Sequence, residues 1–139
     1  MDGAAAAAAL CSSPWQSEVP LDAFAEIART IATYAEGMAR GDAEALRRAF
    51  HPKACCIGHF DGGLEWASLD EFISACEAEA IPASAAVPPN GIESVSVAGD
   101  TAVARVVNVW AGLDFRDTLT LLRHDGRWQI VSKVFLHLA

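Results

Sequence analysis

The last third of the chain constrains its fold most. From Ile92 to Leu138 four apolar-rich segments follow one another: "IESVSVA", "TAVARVVNVWA", "DFRDTLTLL" and "RWQIVSKVFLHL". Gly99-Asp100, Gly112 and Asp125-Gly126 separate them. Alternating, β-branched runs between such breaks read as strands joined by tight hairpins. The four form a meander, and a meander with one apolar face needs a cover.

The cover lies upstream. Leu21, Phe24, Ile27, Ala28, Ile31, Tyr34, Ala35 and Met38 recur at intervals of three and four, which predicts one long helix with a single apolar stripe. Gly41 ends it, and Asp42 caps a short second helix that runs through Phe50 to a stop at Pro52. "ACCIGHF" and "LEWAS", joined at Asp61-Gly62-Gly63, read as a strand pair. Ser68 and Glu71 form a capping box for a third helix carrying Leu69, Phe72, Ile73 and Cys76 on one face. Residues 82–91 are a Pro-rich loop. The expected fold class is α+β, a curved antiparallel sheet wrapped around N-terminal helices.

At 139 residues and 53% hydrophobic, the chain has the size and composition of one domain with a real core. Residues 1–16, an alanine-rich stretch with no basic residue before it, are expected to be a disordered tail, leaving 17–139 as a single domain. The net charge of −8 argues against nucleic acid and against anionic membrane surfaces as partners. It also means that an anionic ligand would need a local cation. No stretch approaches the ~18 apolar residues of a membrane span. The four cysteines, at positions 11, 55, 56 and 76, are too few for a disulfide scaffold, so a reducing, cytoplasmic setting is the default.

"RRAFHPKACCIGHFDG" places His51, His59, Cys55 and Cys56 within nine positions. Adjacent cysteines in a strand point to opposite faces and cannot share a metal. No C-x₂₋₄-C or H-x₃-H spacing occurs, so no metal site is expected. His59 or His51 at a cavity rim is the more open use, beside their ordinary role as satisfied core or corner residues.

Turn positions give a register. With Asp125-Gly126 as a two-residue turn, Asp117 falls opposite Val134; with Gly112-Leu113 as the preceding turn, Asn108 falls opposite Asp117. One face then carries Phe115, Asp117, Leu119, Leu121, Trp128, Ile130, Ser132, Val134 and Leu136. The other carries Arg116, Thr118, Thr120, Gln129, Val131, Lys133, Phe135 and His137. The first, apolar except for Asp117 and Ser132, should be the concave face beneath the helices. A one-residue slip would invert it. A carboxylate in such a cavity is suited to acid–base work, and it could equally be satisfied by Tyr34, Asn108 or a backbone amide. Trp66 and Trp110 could wall a planar ligand or simply pack. The candidate catalytic residues are Asp117, His59 and Tyr34. The candidate ligand pocket comprises Asn108, Trp110, Trp66, Phe115, His51 and Ser132.

"YAEGMARGDAEALRRAFHP", "GGLEWASLDEF", "VAGDTAVARV" and "DFRDTLTLLRHDGRWQIVSKVF" resemble the NTF2-like (cystatin-like cone) superfamily, and within it the SnoaL-like and "putative lumazine-binding" group. The resemblance spans roughly residues 20–137. It implies a cone fold, and it leaves the reaction open, since the superfamily holds isomerases, dehydratases, epoxide hydrolases, cyclases and pure binding modules. It also implies a homodimer through the outer sheet face, here expected to bury Val131 and Phe135. The expected function is small-molecule binding, with lyase or isomerase chemistry on an apolar or aromatic metabolite and no cofactor. The alternative is a non-catalytic ligand-binding or association module.

Overall fold

The computed structural model describes residues 21–138. The expected N-terminal tail lies outside the described residues. Helix α1 (Leu21–Arg40) leads into α2 (Ala43–Ala49), then the strand pair β1 (Phe50–Phe60) and β2 (Gly63–Ser68), helix α3 (Leu69–Ala78), and the meander β3 (Gly91–Ala98), β4 (Thr101–Trp110), β5 (Leu113–His124) and β6 (Arg127–Leu138). The six strands form one sheet in the order β2-β1-β6-β5-β4-β3. Every neighbouring pair is antiparallel except β1 with β6, which is parallel. This is the α+β cone expected from the sequence.

The local causes are those read from the sequence. Asp42 caps α2 through the Ala45 amide, and the Ser68–Glu71 capping box opens α3. Ile27, Ile31, Tyr34 and Met38 pack into the sheet from α1. Leu21 and Phe24, at its start, stay exposed. Pro52 does not end a helix but sits inside β1, where the pairing with β6 shifts between Phe50 and Cys55. Proline has no N–H to give to a ladder, so a register break is the place for it.

Two details correct the expected register. The β4–β5 turn is Ala111-Gly112, not Gly112-Leu113, so Val106 lies opposite Asp117 and Asn108 opposite Phe115. The pairing moves by two, and Asn108 therefore keeps its face. The second change matters more. β6 follows the expected register as far as Ile130, opposite Leu121; then Val131 bulges out and Ser132 pairs with Thr120. A bulge adds one residue and inverts every side chain beyond it. Lys133 and Phe135 thus face inward, opposite Leu119 and Asp117, while Val134 and Leu136 are exposed. The expected outer face was right for Thr118 and Thr120 and wrong for Lys133, Phe135 and His137, whose ring packs against Phe60 and Phe115. The expected inner face was right for Trp128 and Ile130 and wrong for Ser132, Val134 and Leu136.

Candidate functional site

Beneath α1 and α3, and above the concave side of the sheet, lies a cavity of about 440 Å³. That size suits a small organic ligand. Met38, Phe60, Phe72, Trp110, Phe115 and Phe135 are the large apolar and aromatic side chains of its wall, with Trp66 at its mouth. The rings form two groups. Phe115 lies near Phe60, Trp110 and Phe135, with centroids about 6 Å apart. Phe72 lies with Tyr34 and Phe50. Glu65 and Glu71 bring carboxylates to the wall, and both are exposed. Trp66 is at the mouth and two-thirds exposed.

The polar interior of the wall comes from Asn108, Lys133, Cys56 and the Trp110 indole. Trp110 Nε1–H is buried and has no acceptor among the described residues. Asn108 is 5% exposed and belongs to a second, deeper layer as well. Its Nδ2 donates to Asp117 Oδ2 at 2.7 Å, and Tyr34 Oη donates to the same oxygen at 2.6 Å. Asn108 Nδ2 also lies 3.3 Å from Tyr34 Oη. Asp117 is wholly buried, and its Oδ1 has no donor among the described residues. A buried carboxylate oxygen without a donor is destabilising unless something supplies one. Tyr34 and Asp117 do not themselves line the cavity; Asn108 stands between them and it. Burial first, and the Asp117 carboxylate second, push the Tyr34 phenol well above its ordinary value. It therefore remains a neutral O–H donor across the working pH range.

Lys133 is 6% exposed and reaches into the cavity wall. Its ammonium sits 4.3 Å from the Phe72 ring centroid, 5.2 Å from that of Tyr34 and 5.8 Å from that of Phe135. Such rings hold a cation by their quadrupoles. Its one polar contact among the described residues is Met38 Sδ at 3.9 Å. Cys56 pairs across the ladder with Lys133, and burial pushes its thiol up to about 11, with Lys133 pulling the other way.

Of the residues singled out from the sequence, Asn108, Trp110 and Phe115 line the cavity, while Tyr34 and Asp117, expected in it, lie in the layer behind Asn108. His59 does not join them. It shares the outer face of β1 with Cys55 and Ile57 and is exposed, because strand alternation sends Cys56 and Phe60 inward instead. His51 is also away from the cavity: its Nδ1 accepts from the Lys53 amide, and its ring neighbours His124. Ser132 lies beyond the bulge on the outer side. Lys133 and Phe135 were assigned to the wrong face, and Cys56, Met38, Phe60 and Phe72 were not singled out for the pocket. Phe60 and Cys56 were reachable from the alternation of β1. The Lys133 assignment needed the bulge. Among the described residues no three His, Cys, Asp or Glu side chains converge as metal ligands, and Cys55, Cys56 and Cys76 are free thiols; Cys11 lies outside the described residues.

The helix-covered cone has counterparts among known proteins. The family model described as "Putative lumazine-binding" matches residues 22–136. The chain belongs to this family. An NTF2-like protein of unknown function from Silicibacter pomeroyi is 43% identical, with a TM-score of 0.83 over 87% of this chain and 100% of its own. Another, from Methylobacillus flagellatus, is 26% identical, with a TM-score of 0.79 over 88% of this chain and 97% of its own. These likenesses place the family member within the NTF2-like superfamily. A relative named "Aldolase FrzH", from a Cladobotryum species, is 26% identical over 104 residues, covering 73% of this chain and 81% of its own length. No helix among the described residues is long and apolar enough to cross a membrane.

Proposed function

We propose that this family member binds a small apolar or aromatic molecule in the cavity and acts on it as a lyase or isomerase with its own side chains, Asp117 serving as the acid–base carboxylate. One observation carries this. Asp117 is wholly buried, with Oδ2 held by two short hydrogen bonds and Oδ1 left without a donor. A carboxylate fixed through one oxygen presents the other for proton exchange. Tyr34 and Asn108 orient it. Because Asn108 belongs to both the cavity wall and this layer, a ligand that draws its amide away leaves Asp117 facing the ligand. The relative named an aldolase, a carbon–carbon lyase, supports the lyase half of the proposal.

A panel of aromatic β-hydroxy ketones tests it, with aldehyde release as the readout. Wild type should cleave at least one of them. Asp117→Asn should lose ~10²–10⁴-fold in kcat, the usual contribution of a positioned acid or base. Retention of full activity by Asp117→Asn defeats the assignment. A second reading is favoured by the separation of Asp117 from the cavity wall: a ligand-binding module in which the carboxylate only positions Asn108. Binding of these ketones with no turnover by wild type would select it.

A homodimer through the outer sheet face is part of the same proposal. The apolar residues exposed there include Val134 and Leu136, with Leu64 and Trp66 on strand β2, and Ile57 between them is half-buried. Of the pair expected from the sequence, Val131 and Phe135, Phe135 faces the cavity instead. Exposed apolar patches of this kind are commonly covered by a partner, and a twofold arrangement covers two at once. A reducing, cytoplasmic setting agrees with the free thiols.

A further inference from the structure

We propose that Lys133 is a covalent catalytic residue, whose amine condenses with an aldehyde or ketone bound in the cavity. The proposal rests on the reading that the cavity takes a small apolar or aromatic molecule, and it names the chemical class of that molecule as a carbonyl compound.

Three observations point to it. First, Lys133 is more than nine-tenths buried and reaches the cavity wall, yet it pairs with no carboxylate among the described residues. Buried lysines normally pair with an anion. In a chain with a net charge of −8, acidic partners are abundant, so the vacancy is specific to this site. Second, three aromatic rings and a thioether surround the ammonium. This leaves it one polar direction, the cavity. Third, two further polar groups on the same wall, the Asn108 amide and the Trp110 indole N–H, can hold an oxygen beside it.

The condensation balances without any further reactant. The ammonium and the carbonyl give a protonated imine and one water. The nitrogen loses two hydrogens, the carbonyl carbon loses its oxygen, and the new bond is carbon to nitrogen. The single positive charge stays on the same atom. One ammonium proton passes to the carbonyl oxygen as the freed amine adds to the carbon, the second leaves with that oxygen as water, and the aromatic cage that holds the ammonium holds the protonated imine too. Lysine amines form such imines with carbonyl substrates as covalent intermediates. The imine then draws electrons from the neighbouring carbon, which is what a lyase or isomerase acting next to a carbonyl needs.

The chain offers a clean control, because it has two lysines, and Lys53 is exposed. The full chain is incubated with benzaldehyde and sodium cyanoborohydride, which delivers hydride to the imine carbon and fixes the adduct as a secondary amine. Peptide mass mapping then locates it. Lys133 should label at least about tenfold faster than Lys53, since the cavity concentrates the aldehyde beside the amine. Competition by acetophenone, which fits the same cavity, should slow Lys133 and leave Lys53 unchanged. Equal or faster labelling at Lys53 overturns the proposal. So does Lys133-dependent binding of benzoate without labelling by benzaldehyde, which would make Lys133 an anion-binding cation. Lys133→Arg separates this proposal from the acid–base one. It keeps the charge and cannot form the imine, so ketone cleavage should fall at least about a hundredfold while acetophenone binding persists. If Lys133→Arg retains cleavage and Asp117→Asn loses it, the imine is refuted and the acid–base assignment stands.

Discussion

The Phe135 ring lies directly against Gly58. The two residues pair across the parallel β1–β6 ladder, and a Cβ added at Gly58 would come within 2.6 Å of Phe135 Cδ2, Cε2 and its carbonyl oxygen. A ring can rotate away, but a ladder carbonyl cannot. Gly58 therefore allows Phe135 to close one side of the cavity, next to Phe115 at 5.9 Å. Gly58→Ala should destabilise the fold by ~1–3 kcal/mol, the usual cost of overpacking. It should also weaken binding of aromatic ketones. Chemical denaturation and a binding titration check the two effects together, and an unchanged midpoint would mean that Gly58 does not press on the Phe135 carbonyl in the β1–β6 ladder.

Ala111 occupies the first position of the β4–β5 turn at φ 52°. Residues with a Cβ adopt this left-handed region at a cost of roughly 1–2 kcal/mol, whereas glycine does so freely. Ala111→Gly should stabilise the protein by about 0.5–1 kcal/mol, part of the gain being offset by the more flexible unfolded chain. A thermal melt decides it. A lower melting temperature would mean that the methyl group makes a contact worth more than the strain.

These positions also mark the limits of the sequence. Helix starts were legible because caps are local: Asp42 and Ser68 bond to amides within three residues. The strands of the meander were legible from alternation and turns. The β4–β5 turn was misplaced because alanine is an unusual choice at positive φ, and Gly112 drew the turn one residue too far. The β6 bulge left no trace in the sequence. Val131 is β-branched like any strand residue, and the bulge arises where β6 must match β5 on one side and the interrupted β1, with Pro52, on the other. That is a demand of three strands at once. Asp117, Tyr34 and Asn108 precede it and share one hydrogen-bonded layer, although Asn108 lies opposite Phe115 rather than Asp117. Lys133 and Phe135 follow it, and the cavity wall was incomplete without them.

Alkaline pH should unfold the protein early. Burial pushes the Cys56 thiol up to about 11 and the Cys76 thiol up to about 12, from an ordinary value of 9.0, and pushes the Tyr34 phenol well above 10.0. The folded state thus holds protons that the unfolded chain releases. This contribution is complete below about pH 9 and falls as pH rises toward 11 and 12, by up to about 1.4 kcal/mol per pH unit for each group. Denaturation midpoints should hold from pH 8 to about 9 and fall from there to pH 11. Cys56→Ala and Cys76→Ala should each flatten the slope, and a flat wild-type profile would contradict the burial of these thiols.

The outer sheet face gives the last test, because the bulge reverses which residue governs it. Leu136 points outward and is 54% exposed; Phe135, its neighbour, points into the cavity. Leu136→Glu sets a charge on the face proposed to form the dimer, where its desolvation opposes association. It should weaken self-association by at least about tenfold, corresponding to ~1.4 kcal/mol or more, and leave ketone binding unchanged. Phe135→Glu should do the reverse, damaging binding and stability while the remaining protein still associates. The two sites lie on opposite sides of one strand, so their effects should be close to additive in the double variant. Sedimentation velocity reads the first effect and a ligand titration the second. If Phe135→Glu dissociates the protein and Leu136→Glu abolishes binding, β6 has no bulge at Val131, and Lys133 leaves the cavity with it.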